Sequence, residues 1–193
     1  MIKEAITETP VHGLIKRRWS PRAFSNDSIE TEDIKTLLEA ASWAPSAMNA
    51  QPWRYVAAQK GTATFQKMWE CMMPGNQIWT DKAAVIILSI GVKAYENGAE
   101  NKTFMHDVGL ANANLVTQGI SMGIFSHFIG GFNPDKTRTQ FKLAENEVPI
   151  CFIALGYLGD AEQLEEPFKS RELAPRSRKA VDEIAEIYAK NDV

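Results

Sequence analysis

The sequence predicts a mixed α+β domain in which helices are layered on a sheet. Three observations lead there. The chain has 193 residues, the size of one ordinary domain or of one domain with extended arms. Hydrophobic residues make up 45% of it, enough for a sizeable core. Segments with helical periodicity also alternate with short apolar runs, in the order helix, helix, strand, helix, strand, helix, strand, helix, strand.

Each element has a local reason. Thr9-Pro10 marks a helix start, because proline suits the first helical turn, and the helix should run to about Lys16. Arg17–Asn26 reads as a loop or edge strand broken at Pro21. Thr31 can cap the next helix, with Glu32 and Asp33 at its positive end; Ile34, Leu37, Leu38 and Ala41 form the apolar stripe. Pro45 stops that helix, and Ala44–Pro52 connects it to a strand at Arg54–Ala58. A helix around Thr64–Met73 should break at Pro74-Gly75. Ala83–Ile90 is uninterrupted apolar sequence, as in a strand buried on both faces. Phe104–Met122 is the longest helical stretch; its Gly109, Ala111 and Ala113 would let another helix approach closely. A strand at Gly123–Ile129 closes at Gly130-Gly131, a short helix starts at Asn133-Pro134, and Pro149–Tyr157 is a further strand. Asp160–Pro175 is charged and poor in periodicity, so it reads as a surface arm able to wrap a second subunit. Val181–Ala189 reads as a closing helix, and residues 1–193 as one domain with a C-terminal arm over 160–193.

Composition removes several function classes. The net charge is -3, which argues against a nucleic-acid partner, since such binding needs a concentrated basic face. The longest apolar run is too short to span a bilayer, and Met1–Pro10 carries Glu4 and Glu8 without an apolar signal core. A cytoplasmic protein without membrane contact is the expectation. Cys71 and Cys151 have no CxxC or metal-ligand spacing and read as reduced thiols. His12, His106 and His127 have no ligand spacing either, so no metal is expected and a structural role is assigned to each. Trp53, Trp69, Trp79, Met48, Met72 and Met73 read as packing residues. There is no GxGxxG and no GxxxxGK[ST].

Two segments can carry chemistry. In Arg17-Arg18-Trp19-Ser20-Pro21-Arg22-Ala23-Phe24, an extended backbone would project Arg18, Ser20 and Arg22 to one side. Two guanidiniums and a hydroxyl suit a phosphate or another planar anion. Charge alone also describes a solvated basic edge, and favours it. In Ala44-Pro45-Ser46-Ala47-Met48-Asn49-Ala50-Gln51-Pro52-Trp53, two prolines stiffen a loop whose Ser46, Asn49 and Gln51 both donate and accept hydrogen bonds. Such groups suit the ribityl chain or uracil-like edge of a flavin, or serve only their own backbone.

The ordered pair RRWSPRAF and APSAMNAQPW resembles the N-terminal signature of the nitroreductase family of FMN enzymes. The resemblance continues through Asn76 and Trp79, the long helix with Asp107, the stretch ending in IGGF, IALGYLGD, and Arg176-Ser177-Arg178-Lys179. It implies a nitroreductase-like α+β fold with a mainly antiparallel central sheet flanked by helices, tightly bound FMN, NAD(P)H as reductant, and a small-molecule electron acceptor such as a nitroaromatic or a quinone. It implies a ping-pong reaction on flavin N5, with no side chain acting as nucleophile or general acid. It also implies a homodimer with FMN at the interface and the C-terminal arm exchanged between chains. Arg18, Trp19, Ser20 and Arg22 match the first flavin segment, with Arg18 at the phosphate and Arg22 at the pyrimidine edge. There a fixed cation stabilises the charge that reduction develops. Pro45, Ser46, Ala47, Asn49 and Gln51 match the segment that reaches the partner's flavin, and Asn76 a polar contact. Phe128, Ile129, Gly130 and Gly131 match the stretch beside N5, where family members often carry an acidic residue at the position of Gly130. Arg176 and Arg178 match a phosphate clamp. The alternatives are another reaction on the same scaffold (flavin reductase, enal or semialdehyde reductase, dehalogenase), a flavin-binding or anion-binding protein without turnover, and a ligand-free structural homodimer.

Overall fold

The computed structural model describes residues 3–188. Helix α1 (Gly13–Arg17) is followed by α2 (Thr31–Ser42), strand β1 (Trp53–Gln59), α3 (Ala63–Cys71), α4 (Pro74–Thr80) and β2 (Val85–Val92). Then come α5 (Phe104–Ser121), β3 (Phe125–Ile129), α6 (Pro134–Phe141), β4 (Glu147–Gly156) and α7 (Phe168–Leu173). The strands form one sheet in the order β1-β2-β4-β3, with every neighbouring pair antiparallel. The α+β expectation therefore holds. Among the described residues, no helix is long and apolar enough to cross a membrane.

The apolar run at β2 has a direct cause. Ile86, Leu88 and Ile90 face a core shared with Phe65 and Met68 of α3, Trp79 of α4 and Phe24. Val85 and Ile87 face the opposite core, shared with Leu37 and Ala41 of α2 and Ala111 and Leu115 of α5. A central strand covered by helices on both sides has no polar face, so the usual alternation disappears. Both cysteines are free; burial raises the Cys71 thiol and pushes Cys151 up to about 12, which leaves them inert.

Several boundaries differ from expectation. Pro10 does not start α1; the His12 ring accepts the Leu14 N–H at 3.2 Å and sets the start at Gly13. Pro74 does not simply break a helix. It occupies the first position of α4, where its missing N–H costs nothing. The arm at 160–175 is more than surface: Leu164 is buried, Phe168 packs on the core, and α7 carries the buried Glu172. The closing helix at Val181–Ala189 is not formed. Val181–Glu183 makes a single 3-10 turn, and Ile184–Tyr188 is irregular; Ala189 lies outside the described residues. Val181, Ile184, Ile187 and Tyr188 are exposed, so among the described residues this short segment lacks the packing that sustains most protein helices.

The small residues of α5 divide between two faces. Ala111 is buried in the core. A side chain added at Gly109 would meet nothing, and Ala113 is exposed, so this pair does not pack within the chain. Met105, Gly109 and Ala113 lie at successive i, i+4 positions and form an open stripe.

Candidate functional site

Arg18 closes α1, its N–H bonding to the Leu14 carbonyl. From there the chain runs extended beside the end of β4: Phe24 bridges to Leu158, Ser25 N–H donates to the Tyr157 carbonyl and Gly159 N–H to that of Ala23. The first segment is thus a loop, tied to the end of the sheet by a single antiparallel bridge at Phe24. On one side it opens into a basin of about 280 Å³ lined by Lys3, Arg18, Trp19, Ser20, Arg171, Arg176 and Arg178. Five of the lining side chains are cations and none is a carboxylate. Arg18 Nη1 reaches Ser20 Oγ at 3.3 Å. Burial, and then the charges of Arg176 and Arg178, lower the pKa of Arg18. Burial and then Arg178 do the same to Arg176. A cluster of like charges with no acid among them gains most from an anion. The expected phosphate residues Arg18, Arg176 and Arg178 therefore meet across 160 residues of chain. One of them is also structural, because Arg176 Nη1 donates to the carbonyls of Lys3 and Lys16, both at 2.7 Å.

Arg22 does not join that basin. Its guanidinium carbon lies 5.9 Å from the Trp79 ring and 5.9 Å from the Phe168 ring. The alternation that should put it beside Arg18 and Ser20 is interrupted after Pro21, where Glu172 of α7 accepts the Arg22 and Ala23 N–H groups. Beside it, His127 Nδ1–H donates to the Pro21 carbonyl at 3.0 Å while the imidazole stacks on Trp79. Burial, reinforced by the Arg22 charge, lowers the His127 pKa to about 4, so the ring is neutral at pH 7. His127 thus has the structural role expected of it. Trp79, read as packing, is buried in the core, with its ring 5.9 Å from the Arg22 guanidinium carbon.

At the end of β3, Phe128 is partly exposed, Ile129 is buried and Gly130 is exposed. Among the described residues the Gly130 N–H has no hydrogen-bond partner, and a Cβ there would meet nothing. The chain's own packing therefore does not demand glycine at 130; a free donor faces open space. Gly131 is different. A Cβ there would lie 2.6 Å from Asn76 Nδ2, which donates to the Gly131 carbonyl at 2.9 Å. Asn76 thus reaches this stretch, with one side of its amide already committed.

The second segment is not brought to the first within this chain. Met48, Asn49, Ala50, Gln51 and Pro52 line a separate cleft of about 720 Å³ with Tyr95 and Asn97. Pro45, Asn49 and Gln51 are exposed, Ser46 and Ala47 half-buried. Asp107 at the start of α5 accepts the Ala47 N–H at 3.1 Å, and Ser46 Oγ that of Gln51 at 3.0 Å. Met48, Asn49 and Gln51 have φ of 53°, 54° and 47°. Three side chains in the left-handed region within four residues store strain of about 1–2 kcal/mol each, a feature that concentrates at functional sites. Met48, expected to pack, is almost fully exposed at the loop's tip.

Sequence reasoning missed Lys3, Arg171 and Glu172. Arg171 and Glu172 sit in a charged stretch without periodicity, and only the fold of the arm turns them toward the first segment. The one available signal was Pro167-Phe168, an aromatic in an otherwise polar run.

Comparison with known proteins adds to this geometry. The sequence profile of the nitroreductase family matches residues 15–78 and 69–157. A solved structure described as an oxidoreductase containing FMN is 32% identical, with a TM-score of 0.89, covering 94% of this chain and 93% of that one. A nitroreductase family protein of Clostridium difficile 630 shares the fold at 24% identity and a TM-score of 0.71, covering 91% of this chain and 96% of that one. An Archaeoglobus fulgidus protein named "Putative NADH dehydrogenase/NAD(P)H nitroreductase" is 27% identical over 160 residues, 79% of this chain and 88% of that protein. With the profile spanning most of the chain and the same layered fold beneath it, this protein belongs to the nitroreductase family.

Proposed function

We propose that this chain is an FMN-dependent oxidoreductase of ping-pong type, taking hydride from NAD(P)H and delivering it to nitroaromatic, quinone or similar acceptors. The single observation that carries the reading is the acid-free basin of Lys3, Arg18, Arg171, Arg176 and Arg178 at one end of the first segment. Its charge and size fit a phosphate dianion. Arg22 and the unpartnered Gly130 N–H belong to the same chain and fit the two polar edges of an isoalloxazine.

Bound FMN would supply two-electron hydride chemistry at its N5 atom. Arg18, Ser20, Arg176 and Arg178 hold the phosphate end. Arg22 places a fixed positive charge where reduction makes the ring negative, and a preorganised charge costs no rearrangement at the moment of reaction. The Gly130 N–H offers a donor to the reactive edge, and glycine lets the backbone approach closely. Trp19 and Ser20 line the basin itself. No side chain needs to take a proton from, or attack, the substrate.

The same reading makes the protein a homodimer. Pro45, Ser46, Ala47, Asn49 and Gln51 reach the partner's flavin, which agrees with their separation from Arg18 in one chain. The open stripe of Met105, Gly109 and Ala113 and the exposed Val181, Ile184, Ile187 and Tyr188 supply apolar surface for the interface and for the exchanged arm. The test is the spectrum of the purified protein. A yellow protein that anaerobic NAD(P)H bleaches, and that a nitroarene or quinone reoxidises, supports the reading. Colourless protein that takes up no added FMN sinks it; yellow protein that NAD(P)H leaves unchanged is a binding module.

A further inference from the structure

We infer that Glu172 is a positioning residue that sets the place and the field of Arg22, a role that rests on the FMN reading above. Glu172 lies on α7, about 150 residues from the segment it holds. Its Oε1 accepts the N–H of Arg22 at 3.0 Å and of Ala23 at 3.1 Å, and its Oε2 also accepts from Arg22 at 3.0 Å. The residue is 4% exposed. Two consecutive backbone donors of the flavin segment are thus satisfied by one buried carboxylate rather than by their own neighbours.

The remaining contacts converge on the same turn. One helical turn before Glu172, Phe168 sets its ring against the Arg22 guanidinium, and Trp79 of α4 lies at the same 5.9 Å distance. His127 secures the preceding peptide through the Pro21 carbonyl. Lys3 donates to the main-chain oxygens of Glu172 and Ala174, tying α7 to the N-terminus beside the basic basin. The helix that steers Arg22 is therefore continuous with the turn that brings Arg176 and Arg178 to Arg18.

A neutral acceptor would serve a purely structural clamp, and burying a carboxylate costs solvation. The charge has a consequence. Glu172 raises the Arg22 pKa against the lowering effect of burial, so the two form an electrostatic pair. Arg22 favours negative charge on the bound ring, and Glu172 partly offsets that preference. Removing the negative charge while keeping the side chain's shape should favour the reduced ring.

The test uses full-length holoprotein carrying Glu172→Gln. Midpoint potential is measured by equilibration with a reference dye, affinity by titrating deflavinated protein with FMN and riboflavin, and stability by melting. The expected result is about a tenfold gain in preference for reduced over oxidised flavin, about 30 mV upward for a two-electron couple. Phe168→Leu, which leaves the hydrogen bonds intact, should weaken FMN and riboflavin by the same factor, because the contact is at the ring and not the phosphate. Stability loss alone, with potential and both affinities at wild-type values in either folded variant, overturns the inference and makes Glu172 a structural clamp. Wild-type protein that binds neither flavin overturns the FMN reading and this inference with it.

Discussion

Replacing Arg18 with alanine should weaken FMN binding without weakening the apoprotein, and the two effects have separate origins. Arg18 is one of five cations around the basin, and among the described residues it has no acidic partner; its nearest polar contact is Ser20 Oγ at 3.3 Å. Toward a phosphate it offers a charge-assisted hydrogen bond, a class that contributes about 1.5–3 kcal/mol. At tenfold per 1.4 kcal/mol, FMN affinity should fall about 10- to 150-fold. In the ligand-free chain the substitution removes no ion pair and relieves repulsion from Arg176 and Arg178, which already lower the Arg18 pKa. Apoprotein stability should then stay within about 0.5 kcal/mol of wild type, the usual range for a change outside the core. The assay titrates deflavinated protein with FMN and with riboflavin at low and high salt, alongside thermal melting without ligand. FMN affinity should fall and become less salt-sensitive, while riboflavin affinity holds. If riboflavin weakens as much as FMN, Arg18 acts on the ring and the basin is not the phosphate site.

Arg22→Ala should lower the potential of bound flavin, by about 30 mV for each tenfold preference for the reduced form that is lost; an unchanged potential removes Arg22 from the pyrimidine edge. Asp107→Ala leaves the Ala47 N–H without its carboxylate acceptor, while the Thr103 hydroxyl keeps Asn101 Oδ1, so it should cost about 1.5–3 kcal/mol, seen as a lower urea midpoint. His127 titrates near 4 when folded, because burial and then Arg22 disfavour its cation, against an ordinary value of 6.5. The unfolded chain therefore binds the extra proton first. Stability from this residue is complete above about pH 6.5 and declines by up to about 3 kcal/mol as pH falls to about 4. His127→Gln should flatten that decline in urea titrations at pH 7 and pH 4.5, and parallel wild-type and variant curves would refute the assignment. Gly131→Ala must push the Asn76 amide aside, which a thermal melt should register as a loss of about 1–3 kcal/mol.

What could be read before any coordinates were those features whose cause is local. The stripe of α2, the uninterrupted apolar run of β2 and the Asn133-Pro134 start of α6 each reflect a periodicity or a cap within one turn of chain. The two segments that carry the family resemblance were legible as ordered motifs, although charge alone favoured a solvated edge for the first. Only the fold decided how those pieces meet. It drew Arg176 and Arg178 to Arg18, turned Arg22 away from Ser20 onto Trp79 and Phe168, and made an unremarkable glutamate of a charged arm the acceptor for the Arg22 and Ala23 N–H groups. It also turned Pro74 from a break into a helix start, left residues 177–188 exposed with a single 3-10 turn at Val181–Glu183, and sent Gly109 and Ala113 outward. Periodicity records which face of an element is apolar. Which distant element arrives at that face, and with what charge, is settled by tertiary packing, and such arrivals complete the basic basin around Arg18 and Ser20.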